Sequence, residues 1–231
     1  MRGRLLRLLI IVTSCERTPT DGRRCGLLLE EFVGPYYLWR DAGVEVVVAS
    51  PQGGMPPLES ILLVTDEANL ERYQKDAEAR GLLADTLRIE QICADDFEAV
   101  LFAGVVGASV DLPDDPRVQA LFGAFAAAGK PAGFVGYAAA ILLKLRTSSG
   151  APYARARAVT GVTNSERRSL EPAAPSGPSL ASALKRQSAI YTAAADGLSH
   201  VVRDGLLVTG QNTRSAVGVA RALLDIAGQV G

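Results

Sequence analysis

The segment from Gly133 to Ile141, GFVGYAAAI, decides how this chain is read. Residues 132–135 are small or apolar with no polar alternation, the pattern of a strand buried on both faces. An alanine-rich stretch follows at once, and its spacing predicts a helix over 137–145. A buried strand running straight into a helix is the repeating unit of a parallel α/β sheet. Many α/β enzymes carry a nucleophile at that junction, but here the junction residue is Gly136, which has no side chain to react with.

Working outward, the same alternation recurs. Residues 99–103 form a short apolar strand that ends in the glycine-bearing loop Gly104-Val105-Val106-Gly107, and 115–129 read as a helix closed by Gly129-Lys130-Pro131. Upstream, 5–12 is a continuous apolar run, 25–42 has helical spacing ending at Gly43, and 44–49 is a β-branched strand closed by the turn cluster SPQGG. Residues 67–81 are charged and helix-favouring. Downstream, 157–164 read as a strand and turn, 168–179 as a Pro- and Ser-rich surface loop, and 189–191, 200–202 and 206–209 as short strands. Asp204-Gly205 supplies a hairpin turn, and 214–226 a closing helix. The expectation is one α/β domain over 1–231: a flavodoxin-like, doubly wound, mostly parallel sheet with helices on both faces. Ligands in such sheets sit at the carboxyl ends of the strands. That rule points to residues 13–15, 104–107 and 136–137.

Composition narrows the function. The net charge is -1 with no long basic stretch, and aromatics are 6%, so neither a phosphate-binding field nor a base-stacking platform is expected. No nucleic-acid partner is therefore expected. A single histidine, His200, excludes a multi-histidine metal site, and three scattered cysteines (Cys15, Cys25, Cys93) form neither a zinc pattern nor a disulfide framework. No metal and no cofactor are implied. The basic, apolar start MRGRLLRLLIIVTSC resembles a secretory leader, but Arg7 cuts its apolar core below the roughly 7–15 residues such a leader needs. A first buried strand, no membrane span and a cytoplasmic location with reduced thiols are the expectation.

The segments 26–54 (GLLLEEFVGPYYLWRDAGVEVVVASPQGG), 94–107 (ADDFEAVLFAGVVG), 127–142 (AAGKPAGFVGYAAAIL), 159–166 (VTGVTNSE) and 204–212 (DGLLVTGQN) resemble, in order and spacing, the ThiJ/PfpI superfamily, which has the class I glutamine-amidotransferase-like fold. The likeness is to its glyoxalase III and heat-shock chaperone branch. In that family the elbow reads Val-Cys-His-x-Pro, with the cysteine as nucleophile; here it is Val135-Gly136-Tyr137-Ala138-Ala139. Glycine tolerates backbone angles that strain other residues, so Gly136 keeps the shape of the elbow and deletes its thiol. The family's Pro-Gly-Gly-His-Gly loop corresponds to Ala103-Gly104-Val105-Val106-Gly107. Arg167 stands where some relatives place an acidic partner for the histidine, and Gly197 where relatives often carry tryptophan. The family's helix-borne glutamate, by contrast, matches Glu31. Within the apolar stretch 27–33, one of Glu30 and Glu31 is expected to face solvent and the other to face inward.

Two classes of function follow from these residues. In the first, the resemblance implies a remodelled enzyme without a thiol. Glu31 moves a proton, its pKa raised by desolvation, and Tyr137 and the backbone N–H groups of 104–107 polarise a carbonyl. Cys15, Gly104, Val105, Val106, Gly107, Gly136, Ala138 and Asn164 bind a small apolar substrate for isomerisation, cyclisation or dehydration. In the second, the chain is a catalytically inactive paralogue acting as stress chaperone or scaffold. Family-type glyoxalase or deglycase chemistry needs the missing thiol. The resemblance also implies a homodimer. Cys25 follows Arg23 and Arg24, positive charges of a kind that lowers a thiol pKa but read here as surface charges without function, while Cys93 and His200 are assigned structural roles.

Overall fold

Leu8 and Ile10 of the first strand, β1 (Arg7–Ile11), pack into one apolar cluster, and Leu9 and Ile11 pack into another; all four are fully buried. One strand thus feeds two cores on opposite faces of a sheet, as the period of two requires. The computed structural model describes residues 5–59, 66–170 and 178–229. Its main sheet adds β2 (Glu45–Ser50), β3 (Leu87–Arg88), β4 (Ala99–Phe102), β5 (Ala132–Val135), β8 (Val201–Asp204) and β9 (Leu207–Gly210), in the order β3-β2-β1-β4-β5-β9-β8. Every pair is parallel except the β8–β9 hairpin. A separate parallel pair joins β6 (Ala158–Val159) to β7 (Ile190–Tyr191).

One face of the sheet is covered by α1 (Glu30–Asp41), α3 (Ala77–Ala84) and α8 (Ala216–Ala227), whose Phe32, Tyr36, Trp39, Leu83, Val219 and Leu223 share a core with Leu8 and Ile10. The indole N–H of Trp39 donates to the Ala220 carbonyl at 2.9 Å, fastening α1 to α8. The other face is covered by α5 (Pro116–Ala127), whose Phe122 and Phe125 meet Phe102 and Phe134 of the sheet. The Phe102 and Phe134 rings stack at 5.0 Å. This is the doubly wound, flavodoxin-like arrangement. Strands are added to one side of β1 and then, from β4 on, to the other, so the connecting loops splay apart at the carboxyl ends of β1 and β4 and leave room for a site.

The structure departs from the sequence expectations at several places, each with a local cause. The helix expected over 25–42 begins only at Glu30. Before it, Leu27 donates to the Pro57 carbonyl and accepts from the Glu59 N–H, so this residue is held in a bridge to another loop and the helix starts after it. The helix expected over 67–81 is two, α2 (Glu67–Lys75) and α3. Asp76 is extended between them, and its carboxylate caps the Ala79 N–H at 3.0 Å. A local cap outcompetes propagation through the break. The loop 104–107 winds into α4 (Val106–Asp111) from its third residue. Residues 136–143 form 3-10 turns instead of an α-helix; packing against α4 and α7 (Leu180–Arg186), not intrinsic propensity, governs a segment this buried. The loop expected over 168–179 starts late, because α6 (Asn164–Leu170) runs through Arg168; 171–177 lie outside the described residues. Glu30 and Glu31 are both buried, so neither is the solvent-facing partner. Among the described residues no helix is long and apolar enough to cross a membrane.

Candidate functional site

At the carboxyl end of β5 the backbone turns left-handed: Gly136 has φ +62°. A Cβ there would lie 3.0 Å from the Gly104 carbonyl oxygen and 3.9 Å from Glu31 Oε1. The elbow therefore brings three elements together, β5, the turn after β4, and α1. Its shape is held by the Tyr137 N–H, which donates to the Gly104 carbonyl at 3.1 Å. That N–H is consequently spent and does not serve as an oxyanion donor. Gly104, at φ +154°, packs so closely on Ala108 that a Cβ would sit 2.4 Å from that methyl group.

Glu31 occupies the floor of this junction, fully buried. Its Oε1 accepts from the Thr213 hydroxyl at 3.0 Å, and its Oε2 has no hydrogen-bond partner among the described residues. Desolvation pushes its carboxyl up to about 8; the Glu59 and Glu30 carboxylates push the same way, and the Thr213 hydrogen bond opposes them. Glu30 is raised to about 7 by desolvation; a hydrogen bond from the Asp66 backbone opposes this, and the Asp66 carboxylate adds a smaller upward push. At neutral pH Glu31 is mostly a neutral carboxylic acid, able to donate or, once ionised, to accept a proton.

Beside this floor opens a cavity of about 380 Å³, within the range of small-molecule pockets. Its buried walls are Leu28, Val105, Gly136, Val162 and Glu166, and its more exposed ones include Ser169, Asp196, Gly197 and Arg214. Thr213, whose hydroxyl donates to Glu31, is a wall too. The base is apolar and the mouth polar, so the cavity is less uniformly greasy than the sequence implied.

The structure thus brings Gly136 and Val105 to the cavity and sets Glu31 directly behind it. The remaining expected binding residues are not among its walls. Tyr137 and Ala138 are buried within the core on the α5 face of the sheet, which places the Tyr137 phenol in packing and not in the cavity. Val106 and Gly107 turn into α4, where Gly107 packs on Thr13. Asn164 is exposed and accepts from the Ser179 hydroxyl. Cys15 faces Cys25. Cys25 is buried, and its thiol is pushed up to about 12 instead of down, by desolvation first and the Cys15 thiol second. Cys93 is exposed. His200 bonds Thr192 through Nε2 at 2.9 Å, away from the cavity.

Sequence reasoning missed Glu166. Its Oε1 accepts from Asn212 Nδ2 at 2.7 Å, Gln211 Nε2 at 3.0 Å and the Gly197 N–H at 3.1 Å; its Oε2 accepts from the Thr163 N–H at 3.1 Å. Thr163 Oγ1 in turn accepts from the Glu166 N–H at 3.0 Å. This reciprocal pair is a capping box at the start of α6. The readable signal was the Thr-x-x-Glu spacing of 163–166, one residue before the Arg167 position that drew the comparison.

No protein-family profile and no curated protein match the chain. Solved structures do. Rapid Encystment Protein 24 KDa of Francisella tularensis superposes with TM-score 0.87 at 23% identity over 96% of this chain and 99% of that one. A solved protein of unspecified function gives TM-score 0.85 at 30% identity over 99% of this chain and 100% of its own. Glyoxalase III of Candida albicans gives 0.82 at 22% identity over 95% and 96%. A ThiJ/PfpI domain protein of Brachyspira murdochii follows at 0.67 and 17% identity over 99% and 100%. The chain has the ThiJ/PfpI superfamily fold. Within that superfamily the fold includes enzymes such as the glyoxalase III. In this chain the residue at the elbow is Gly136, and the cavity lies against it.

Proposed function

We propose that the protein is a cofactor-independent acid–base enzyme without a thiol, acting on a small, largely apolar, proton-labile molecule. Glu31 exchanges the proton. The reading rests on a single observation: a fully buried carboxyl with one oxygen unpaired among the described residues lies against Gly136 and Thr213, two walls of a ligand-sized cavity. Thr213 bonds Glu31 through its hydroxyl and lines the cavity, and in this reading that hydroxyl relays the proton in either direction: a neutral Glu31 protonates a bound molecule through it, and an ionised Glu31 takes a proton back. Leu28, Val105 and Val162 hold the apolar body, and the absent Cβ of Gly136 leaves space where the family carries a thiol. Such a relay suits isomerisation, dehydration or cyclisation, which move protons with no net redox change.

The test is a turnover screen of hydrophobic, enolisable or dehydratable compounds with wild-type protein, Glu31→Gln and Thr213→Val. The expected result is turnover in wild type, loss of at least about 100-fold in Glu31→Gln on the usual scale of proton-transfer catalysis, and an intermediate loss in Thr213→Val. Full turnover in Glu31→Gln overturns the reading. One feature favours a second reading: Glu31 is not itself a wall of the cavity. A catalytically inactive paralogue, acting as chaperone or scaffold, keeps Glu31 as an inherited buried acid. Suppressed aggregation of an unfolding client by wild type and Glu31→Gln alike, with no turnover of any compound, is its signature.

A further inference from the structure

The loop between β1 and α1 doubles back on itself. Arg17 and Arg24 form an antiparallel bridge, the Thr18 N–H donates to the Arg23 carbonyl at 2.9 Å, and the Cys25 N–H donates to the Glu16 carbonyl at 2.9 Å. These bonds hold the two arms side by side and bring Cys15 Sγ to 3.3 Å from Cys25 Sγ. Cys25 Sγ also lies 3.7 Å from the Cys15 carbonyl oxygen. A bonded pair of sulfurs sits about 2.0 Å apart, and the remaining gap is within reach of the side-chain torsions.

We infer that Cys15 and Cys25 form a redox modification site, a dithiol that a small hydroperoxide converts reversibly to a disulfide. The two thiols are not equivalent. Cys15 is half-buried and reachable from solvent, while Cys25 is buried, with burial holding its proton. Arg17, Arg23 and Arg24 lie on the loop, Arg24 3.8 Å from the Glu16 carboxylate. Asp111, bonded to Thr13 Oγ1 at 2.8 Å and the Ser14 N–H at 2.6 Å, and Glu59 place negative charge near Cys25 and add to the hold on its proton.

The chemistry balances in two steps. The Cys15 thiolate attacks one peroxide oxygen, the O–O bond breaks, and the sulfur is oxidised to a sulfenic acid while the other oxygen leaves as hydroxide and takes a proton to become water. Cys25 then attacks the sulfenic sulfur, the S–O bond breaks, and the hydroxyl leaves as water with the Cys25 proton. Two thiols and one hydrogen peroxide give one disulfide and two waters. A dithiol reductant reverses it. This inference is independent of Glu31 and of the proposed reaction.

The test uses the full chain carrying Cys93→Ser, which removes the exposed third thiol and leaves the loop untouched. The protein is treated with hydrogen peroxide, quenched with an alkylating agent and weighed intact. The expected result is loss of both alkylatable thiols with a mass decrease of two hydrogens. Arg17, Arg23 and Arg24 lie between the cysteines, so trypsin separates them, and a cross-linked peptide pair carrying Cys15 and Cys25 is expected, released by dithiothreitol. With Cys25→Ser added, Cys15 is expected to accumulate as a sulfenic acid trapped by a dimedone reagent. Two thiols still alkylatable after oxidation, Cys15 gaining oxygen while Cys25 stays free, or a disulfide between two chains would each overturn the proposal.

Discussion

At Gly136 the missing side chain does two things at once. Its φ of +62° is left-handed, and its absent Cβ leaves room between the Gly104 carbonyl and Glu31. Restoring a thiol there therefore has a defined cost. Gly136→Cys forces a β-carbon into the left-handed region and to 3.0 Å from a backbone oxygen, destabilising the fold by about 1–3 kcal/mol. Because Gly136 lines the cavity, the new thiol is expected to be alkylated in the native state, as read by peptide mapping after iodoacetamide treatment. A variant as stable as wild type, or with residue 136 unmodified, would contradict the elbow described above. The residue scale was also where the sequence was most and least legible. The apolar surroundings of Glu31 forecast its burial. Nothing in the sequence showed that Glu30 is buried as well, since a single helix buries both only when packed on two sides, here by α8 and by α2 with its capping Asp66.

Among elements, the short helix α6 and the hairpin β8–β9 meet through one carboxylate. Glu166 caps α6 through Thr163 and gathers N–H groups from Gly197, Gln211 and Asn212. Glu166→Ala leaves these donors unpaired and removes the capping box. The expected loss is about 2–4 kcal/mol, a fall in Tm on the order of 5–15 °C for a chain of this size. Thermal unfolding followed by circular dichroism measures it, and a shift of less than about 1 °C would mean that water replaces the network at no cost. Strands of the main sheet were legible from their apolar runs, as at 132–135, because burial on both faces erases alternation. The helices α4, α6 and α7 were not, since each is short and set by caps or tertiary packing more than by periodicity. Ser179, for example, starts α7 by accepting from the Ser182 N–H at 3.2 Å.

For the whole molecule, the buried acids tie stability to pH. The folded-state value of Glu31, about 8, lies above its ordinary 4.5, so the folded protein holds this proton more tightly than the unfolded chain does. Its contribution is complete below pH 4.5 and is lost as pH rises towards 8 and beyond. Glu30, at about 7, acts in the same direction over a narrower window. At about 1.4 kcal/mol per pKa unit, Glu31 alone accounts for a decline of a few kcal/mol. Urea unfolding from pH 4.5 to 9 is therefore expected to show falling stability in wild type. Glu31→Gln, which cannot ionise, should fall less steeply and overtake wild type at the alkaline end. Parallel curves would mean that Glu31 titrates alike in both states. The double winding of the sheet and the position of its crevice were readable from the order of strands and helices. The cavity's polar mouth was not, because Asp196, Gly197, Asn212 and Arg214 come together with Glu166 around the cavity only through the fold.

The proposed acid–base role sets a protonatable carboxyl, Glu31, beneath an elbow whose residue 136 has no side chain. Its most direct measurement is a carbon-13 NMR titration of the glutamate side-chain carboxyls, with Glu31→Gln identifying the resonance. A Glu31 signal with its midpoint near 8 is the predicted result. A midpoint at or below the ordinary glutamate value of about 4.3 would place an ionised, inert carboxylate beneath the cavity and contradict the account.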